Sequence, residues 1–215
     1  MKDILIKCPT CGADVEISSG KCPVCGKEWT RDSLTDVTIS DKVKAIKDCA
    51  LTYCNSVKSL KILNGVKSID KMALIKLDIQ ELVIPDSVKS ICSWAFYGCA
   101  SLTNIVIPDS VKVIGNRAFG NCSSLTSITI PSGVKKIRFG TFYGCSSLTD
   151  VVIPEGVKVI CEGAFKDCPS LTSIRIPNSV KAIGLSSIDK NCTVYTANEH
   201  VIKKCNLIGI PVVKE

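Results

Sequence analysis

Large side chains are scarce in this chain. Aromatic residues make up 5% of its 215 positions, Met and Trp occur twice each, and His occurs once. So few aromatics leave any core to Ile, Val and Leu, which suits thin, stacked β-rich layers. The lone histidine, His200, removes the paired histidines of a catalytic metal site and reads as a surface residue. A glycine-rich phosphate loop and a nucleophile elbow are also missing, so neither an enzyme nor a small-molecule substrate is expected. No apolar run is long enough to span a bilayer, and no membrane partner is expected. The opening Met1-Lys2-Asp3 leads into only three apolar residues, Ile4-Leu5-Ile6, with no small-residue cleavage site. It does not read as a signal peptide, and a cytoplasmic location is expected. Lys and Arg number 27 against 20 Asp and Glu, a net charge of +7, which permits an anionic partner without requiring one.

Cysteine, by contrast, is abundant, with fourteen copies. In the cytoplasm these are expected to be reduced or metal-bound. Four form two matching motifs, Cys8-Pro9-Thr10-Cys11-Gly12 and Cys22-Pro23-Val24-Cys25-Gly26. Two CxxC pairs supply the ligands of one tetrahedral zinc ion, Zn(2+), with no position left for water, so the site would be structural. The glycines are expected to let backbone amides approach the sulfurs, because they lack a Cβ. About thirty residues cannot fold on burial alone, and metal binding would supply the missing free energy. Val15, Ile17 and Trp29 are the expected apolar neighbours. A redox dithiol would normally be a single CxxC beside a βαβ pattern, and thiolates can also hold iron; zinc is preferred on ligand type and spacing. Residues 6–29 resemble the short zinc-ribbon family. Few basic residues flank them (Lys21, Lys27, Arg31), so protein contact or capping is expected of this unit.

The remainder is periodic. Ile84-Pro85, Ile107-Pro108, Ile130-Pro131, Ile153-Pro154 and Ile176-Pro177 recur every 23 residues, after two degenerate copies at Ile39 and Ile62. One residue is missing between Ile62 and Ile84. Further apolar rows keep the same register, among them Val43 to Val180, Ile46 to Ile183, and Leu51, Leu74, Phe96, Phe119, Phe142, Phe165, Ile188. Each coil leaves an apolar face that only its neighbours can cover, so seven coils must stack around a shared core. Within a coil, Leu102 to Ile107 reads as a short strand ended by Pro108, Val111 to Ile114 as a second extended piece, and Ala118 to Cys122 as one helical turn. At a strand spacing of about 4.8 Å, seven coils make a rod on the order of 35 Å long.

Segments such as Ser124-Leu125-Thr126-Ser127-Ile128-Thr129-Ile130-Pro131 and Val157-Lys158-Val159-Ile160-Cys161-Glu162-Gly163-Ala164-Phe165 resemble the BspA-like, Treponema-type leucine-rich repeats over about residues 34–192. The tail from Thr193 to Val213 is similar to that family's C-terminal cap. The resemblance implies a β-rich leucine-rich-repeat solenoid with short helical turns and a binding role, often at cell surfaces. The expected layout is a zinc ribbon over 1–30, a seven-coil solenoid over 31–192 and a cap over 193–215.

Cys54, Cys99, Cys122, Cys145, Cys168 and Cys192 share one repeat position, filled by Leu77 in the second coil. Because Leu fits the same slot, they are expected to be small buried hydrophobes. Lys44, Lys67, Lys89, Lys112, Lys135, Lys158 and Lys181 form an unbroken row. It is expected to be a solvated edge that offsets Asp41, Asp86, Asp109 and Glu155, with a nucleic-acid surface as the alternative. Trp94 is expected to pack against the next coil, although an exposed Trp could anchor a partner. Residues that vary between coils on the strand face, Asn104, Val106, Ser127, Thr129, Asp150, Val152, Ser173 and Arg175, are the candidate partner-binding set. The expected function is a non-catalytic protein-protein interaction module or adaptor. The alternative is a nucleic-acid-binding protein using the ribbon and the lysines.

Overall fold

The computed structural model describes residues 4–30, 33–52 and 54–215; Met1, Lys2, Asp3 and Arg31 lie outside the described residues. The chain opens with a hairpin, β1 (Leu5–Lys7) against β2 (Asp14–Glu16), and then winds into seven coils. Each coil begins with a strand of the first side: β3 (Asp36–Ile39), β5 (Ser59–Ile62), β7 (Glu81–Val83), β9 (Asn104–Val106), β11 (Ser127–Thr129), β13 (Asp150–Val152) and β15 (Ser173–Arg175). A two-residue strand of the second side follows each: β4 (Ala45–Ile46), β6 (Ser68–Ile69), β8 (Ser90–Ile91), β10 (Val113–Ile114), β12 (Lys136–Ile137), β14 (Val159–Ile160) and β16 (Ala182–Ile183). The extended piece anticipated from Val111 is thus shorter, because Val111 N–H turns back to the Pro108 carbonyl at 3.0 Å.

Pairing is parallel and in repeat register. Ile128 lies opposite Val151, Leu82 opposite Ile105, and Ile137 opposite Ile160. From β7 onward the Ile-Pro step ends each first-side strand, because Pro has no N–H for the ladder. Its carbonyl then accepts from Val three residues on, as in Val88 to Pro85 and Val134 to Pro131, both at 3.0 Å. That turn swings the chain onto the second side. The missing residue falls between Leu77 and Ile79, where Asp78 alone spans the corner and accepts from both Lys58 Nζ and Ser101 Oγ.

The third side differs from the expected helical turn. Alternate residues there form consecutive i to i+3 turns, such as Ala118 N–H to Gly115 at 3.3 Å and Gly120 N–H to Arg117 at 3.1 Å. The residues between them donate along the rod instead: Arg117 to Phe139 at 3.0 Å, Phe119 to Thr141 at 3.0 Å, Asn121 to Tyr143 at 2.6 Å. Left-handed backbone at Cys49, Met72, Trp94 and Arg117, and again at Lys76, Asn121 and Asp167, makes this possible. The turn side is therefore a third ladder.

Between the three sides lies one continuous core. Phe96, Phe119, Phe142 and Phe165 stack along its axis with ring centroids 5.2, 5.6 and 5.4 Å apart and planes within 6° of parallel. Both ends are covered. At the start, β1 pairs antiparallel with β3 through Ile6 and Ile39, so the hairpin extends the first side in the order β2-β1-β3-β5. Asp14 clamps this join, paired with Lys7 at 2.7 Å and Lys42 at 2.6 Å; those cations hold its carboxyl well below the usual range. At the other end β17 (Thr193–Thr196) adds an eighth first-side strand, β18 (Val212–Lys214) pairs with it, and α1 (Glu199–Ile208) buries Val201 and Cys205 against the last coil. No helix among the described residues is long and apolar enough to cross a membrane.

Candidate metal centre and binding faces

The two cysteine motifs fold into matching knuckles. Cys8 N–H bonds the Ala13 carbonyl at 2.8 Å and Gly12 N–H the Cys8 carbonyl at 2.9 Å; Cys22 with Lys27, and Gly26 with Cys22, repeat this at 2.8 and 2.9 Å. The glycines act differently from expectation. Gly12 and Gly26 sit at φ 73° and 75° with open space around the Cβ position, so they serve the left-handed turn and not a close approach. The amides that reach sulfur belong to Thr10 and Cys11 for Cys8, and to Ala13 for Cys11.

The knuckles bring four sulfurs together, all within 4.8 Å of one another. Cys8 and Cys25 Sγ are 3.7 Å apart, and Cys11 and Cys22 Sγ 3.6 Å. Thiolates about 2.3 Å from a tetrahedral ion would sit about 3.8 Å apart, so the set fits a metal ion. Its electrostatics fit too. The Cys11 N–H, against the cost of burial, lowers the Cys8 thiol to about 6. Ala13 N–H favours ionisation of Cys11, but burial and the crowding of the other sulfurs outweigh it and push that thiol to about 12. Several thiolates cannot share this space without a cation. Val15, Ile17 and Trp29 are buried beside the knuckles, with Trp29 Nε1 donating to the Ile17 carbonyl at 3.1 Å.

The strand-face residues also converge. Asn104, Val106, Ser127, Thr129, Asp150, Val152, Ser173 and Arg175 are all exposed on the first side, two per strand from β9 to β15. Ser127 lies opposite Asp150 and Thr129 opposite Val152. The same columns continue outside that set: Glu81 and Val83 precede Asn104 and Val106, while Thr193 and Tyr195 follow Ser173 and Arg175. Val83 was readable from its place two residues before Pro85, as Val106 is before Pro108. Val83, Val106 and Val152, at 66%, 50% and 56% exposure, give the face an apolar column. A second column of threonines flanks it, in which Thr103, Thr126 and Thr149 each donate to the carbonyl one coil back.

The lysine row is exposed, and among the described residues it forms no direct ion pair with the acids three residues earlier, although, after the Ser132 N–H, the Lys112 charge helps to hold the Asp109 carboxyl below its usual range. Lys89 and Lys112 Nζ donate to the backbone carbonyls of Asp86 and Asp109. The carboxylates turn to the next coil instead: Asp109 accepts from Ser132 N–H at 2.7 Å, and Glu155 from Asn178 and Ser179 N–H, both at 3.2 Å. The cysteine row is buried. Cys99, Cys122, Cys145 and Cys168 Sγ each donate to a carbonyl of the preceding coil at 3.1 to 3.2 Å. Trp94 is half-buried on the turn side, and His200 is exposed in α1.

The model of the BspA type leucine rich repeat region matches in six copies over residues 27–91 and 75–196. No curated protein is a significant match. Among solved structures, a leucine-rich repeat protein from Eubacterium ventriosum ATCC 27560 is 26% identical with a TM-score of 0.69, covering 76% of this chain and 45% of its own. The chain thus spans under half the length of that relative. The T. pallidum leucine rich repeat protein is 24% identical with a TM-score of 0.62, over 83% of this chain and 85% of its own. One from Bacteroides ovatus ATCC 8483 is 18% identical with a TM-score of 0.58, over 100% and 75%. These last two share the fold. With the repeat model matched across most of its length, the chain belongs to the BspA-type leucine-rich-repeat family.

Proposed function

We propose that the chain is a non-catalytic protein-protein interaction module, and that its partner lies across the first-side strands. The observation that carries this reading is the exposed valine column amid short polar residues on a rigid sheet. Such a surface combines an apolar centre with polar margins and few charges, the character of protein interfaces. The test is capture of a partner from nuclease-treated native extract by the full chain and by a Val106→Glu/Thr129→Glu/Val152→Glu variant. Capture should vanish in the variant while its circular dichroism is unchanged. Equal capture by both would refute the assignment of the face.

In this reading the four cysteines hold one Zn(2+), making residues 1–30 a zinc ribbon that caps the solenoid of 31–192, with 193–215 as the opposite cap. Zinc would supply the folding free energy that so short a unit lacks. Native mass spectrometry should show one bound ion, lost on substituting Cys11 and Cys25 by Ser. Single buried thiols bonded to carbonyls suit a reducing compartment such as the cytoplasm.

A nucleic-acid surface is the second reading, favoured by the lysine row, whose seven exposed ammonium groups make no ion pair among the described residues. Binding of that kind must weaken steeply with salt. An electrophoretic shift that is absent would remove it.

A further inference from the structure

The left-handed position on the turn side carries a side chain in five coils: Cys49, Met72, Trp94, Arg117 and Ser186, at φ from 50° to 64°. In the fifth and sixth coils it is Gly140 and Gly163. The row of side chains is therefore broken, and an open pocket of about 240 Å³ occupies the gap. Arg117 and Ser186 bound it along the rod, with Phe139, Tyr143, Glu162 and Lys166 at its flanks.

Arg117 lies along the rod over Gly140, where an added Cβ would come within 3.0 Å of its Cγ. Its guanidinium carbon sits 5.1 Å from the Trp94 ring centre, 5.4 Å from Phe139 and 5.1 Å from Tyr143. Tyr97 braces Trp94 at 4.6 Å and is itself held by Asn121 Nδ2, which donates to its hydroxyl at 2.8 Å. Three rings within 5.4 Å of its guanidinium carbon hold the group by cation–π attraction. Among the described residues, however, Arg117 has no carboxylate partner. A fixed planar fork of donors with nothing to receive them matches one chemical group best, a carboxylate presenting two oxygens in the same plane. Lys166 adds a second positive charge at the pocket; Glu162, also in the lining, and Asp167, whose carboxylate accepts from the Tyr143 hydroxyl, are the negative charges an incoming acid must avoid, so the grip falls to the Arg117 fork. Trp, Tyr and Arg gathered beside a pocket also have the composition of an interface anchor point.

We propose that this gap is a docking site for an acidic side chain, Asp or Glu, of a protein partner, gripped by Arg117 and flanked by Phe139 and Tyr143. The proposal rests on the interaction-module reading but shares no residue with the strand face.

The test is selection of random dodecapeptides displayed on phage against the full chain, followed by fluorescence anisotropy with the selected peptides. Gly163→Met fills the gap with the residue that Met72 already carries at φ 55° in coil two; a Cβ there meets nothing closer than 3.9 Å, and the cost is the strain of a side chain at φ 65°. Arg117→Lys keeps the charge and removes the fork. The expected result is a peptide class with one invariant Asp or Glu. Replacing that residue by its amide, or using either variant, should weaken binding by about tenfold or more, as loss of a bidentate charged pair requires. The strand-face variant should bind these peptides normally. Melting curves check folding, and Gly163→Met decides alone if Arg117→Lys proves unstable. Selecting no such class, finding the acid dispensable, or finding full binding in Gly163→Met would overturn the proposal. Peptides lost only in the strand-face variant would overturn it while leaving the interaction-module reading standing.

Discussion

A buried thiol repeated in six of the seven coils changes little at neutral pH and a good deal in alkali. Burial pushes Cys99, Cys168 and Cys192 up to about 12 from an ordinary 9.0. Each keeps its proton in the fold to a higher pH than in the unfolded chain. Their contribution is thus fully present below pH 9 and declines as pH rises from 9 towards 12. Urea titrations across that range should show the loss, and at pH 8 these thiols should react with DTNB only on unfolding. The phenylalanine stack is the stiffer test of packing. Phe119→Ala should cost about 3–5 kcal/mol, since rigid neighbours cannot close the cavity. Phe119→Leu should cost about 1.5 kcal/mol or less, because Leu74 already fills that row. Both rows were legible in the sequence, because one side chain facing one core must recur with the repeat. The Arg117 cluster was not. Its members come from different positions in different coils, and only the winding brings them together.

At the scale of elements, the first-side strands follow from alternation and the Ile-Pro stop. The turn side does not. Its ladder needs left-handed backbone at Met72, Trp94 and Arg117, residues whose identity gives no sign of it. Local sequence there suggests a helix, and hydrogen bonds to the next coil override it. Helix α1 was foreseeable in part, since Asn198 and Gly209 are ordinary start and stop residues. Asn198 accepts from His200 and Val201 N–H, and its Nδ2 donates to the Asn178 and Val180 carbonyls at 3.0 and 2.7 Å. It both caps the helix and ties it to coil seven. Asn198→Ala should cost about 1–2 kcal/mol, and hydrogen exchange should quicken first in 199–208.

For the whole molecule, the decisive feature is that knuckles, coils and terminal helix share one core. An exposed strand edge invites pairing with other chains, and β1 covers the edge of β3. A ribbon bonded in this way should not melt alone. Chelation should lower a single calorimetric transition and promote self-association; a separate low-temperature transition with an unchanged main peak would instead mark an independent adaptor unit. The cysteine spacing made the four-sulfur cluster legible, but nothing in the spacing showed that Ile6 joins Ile39. The proposed binding role turns on which side of this rod a partner would cover. The most direct measurement is hydroxyl-radical footprinting of the chain with its captured partner. Protection of Val83, Val106, Val152 and Arg175, with the lysine row still reactive, is the predicted result. Unchanged reactivity at those four residues would contradict it.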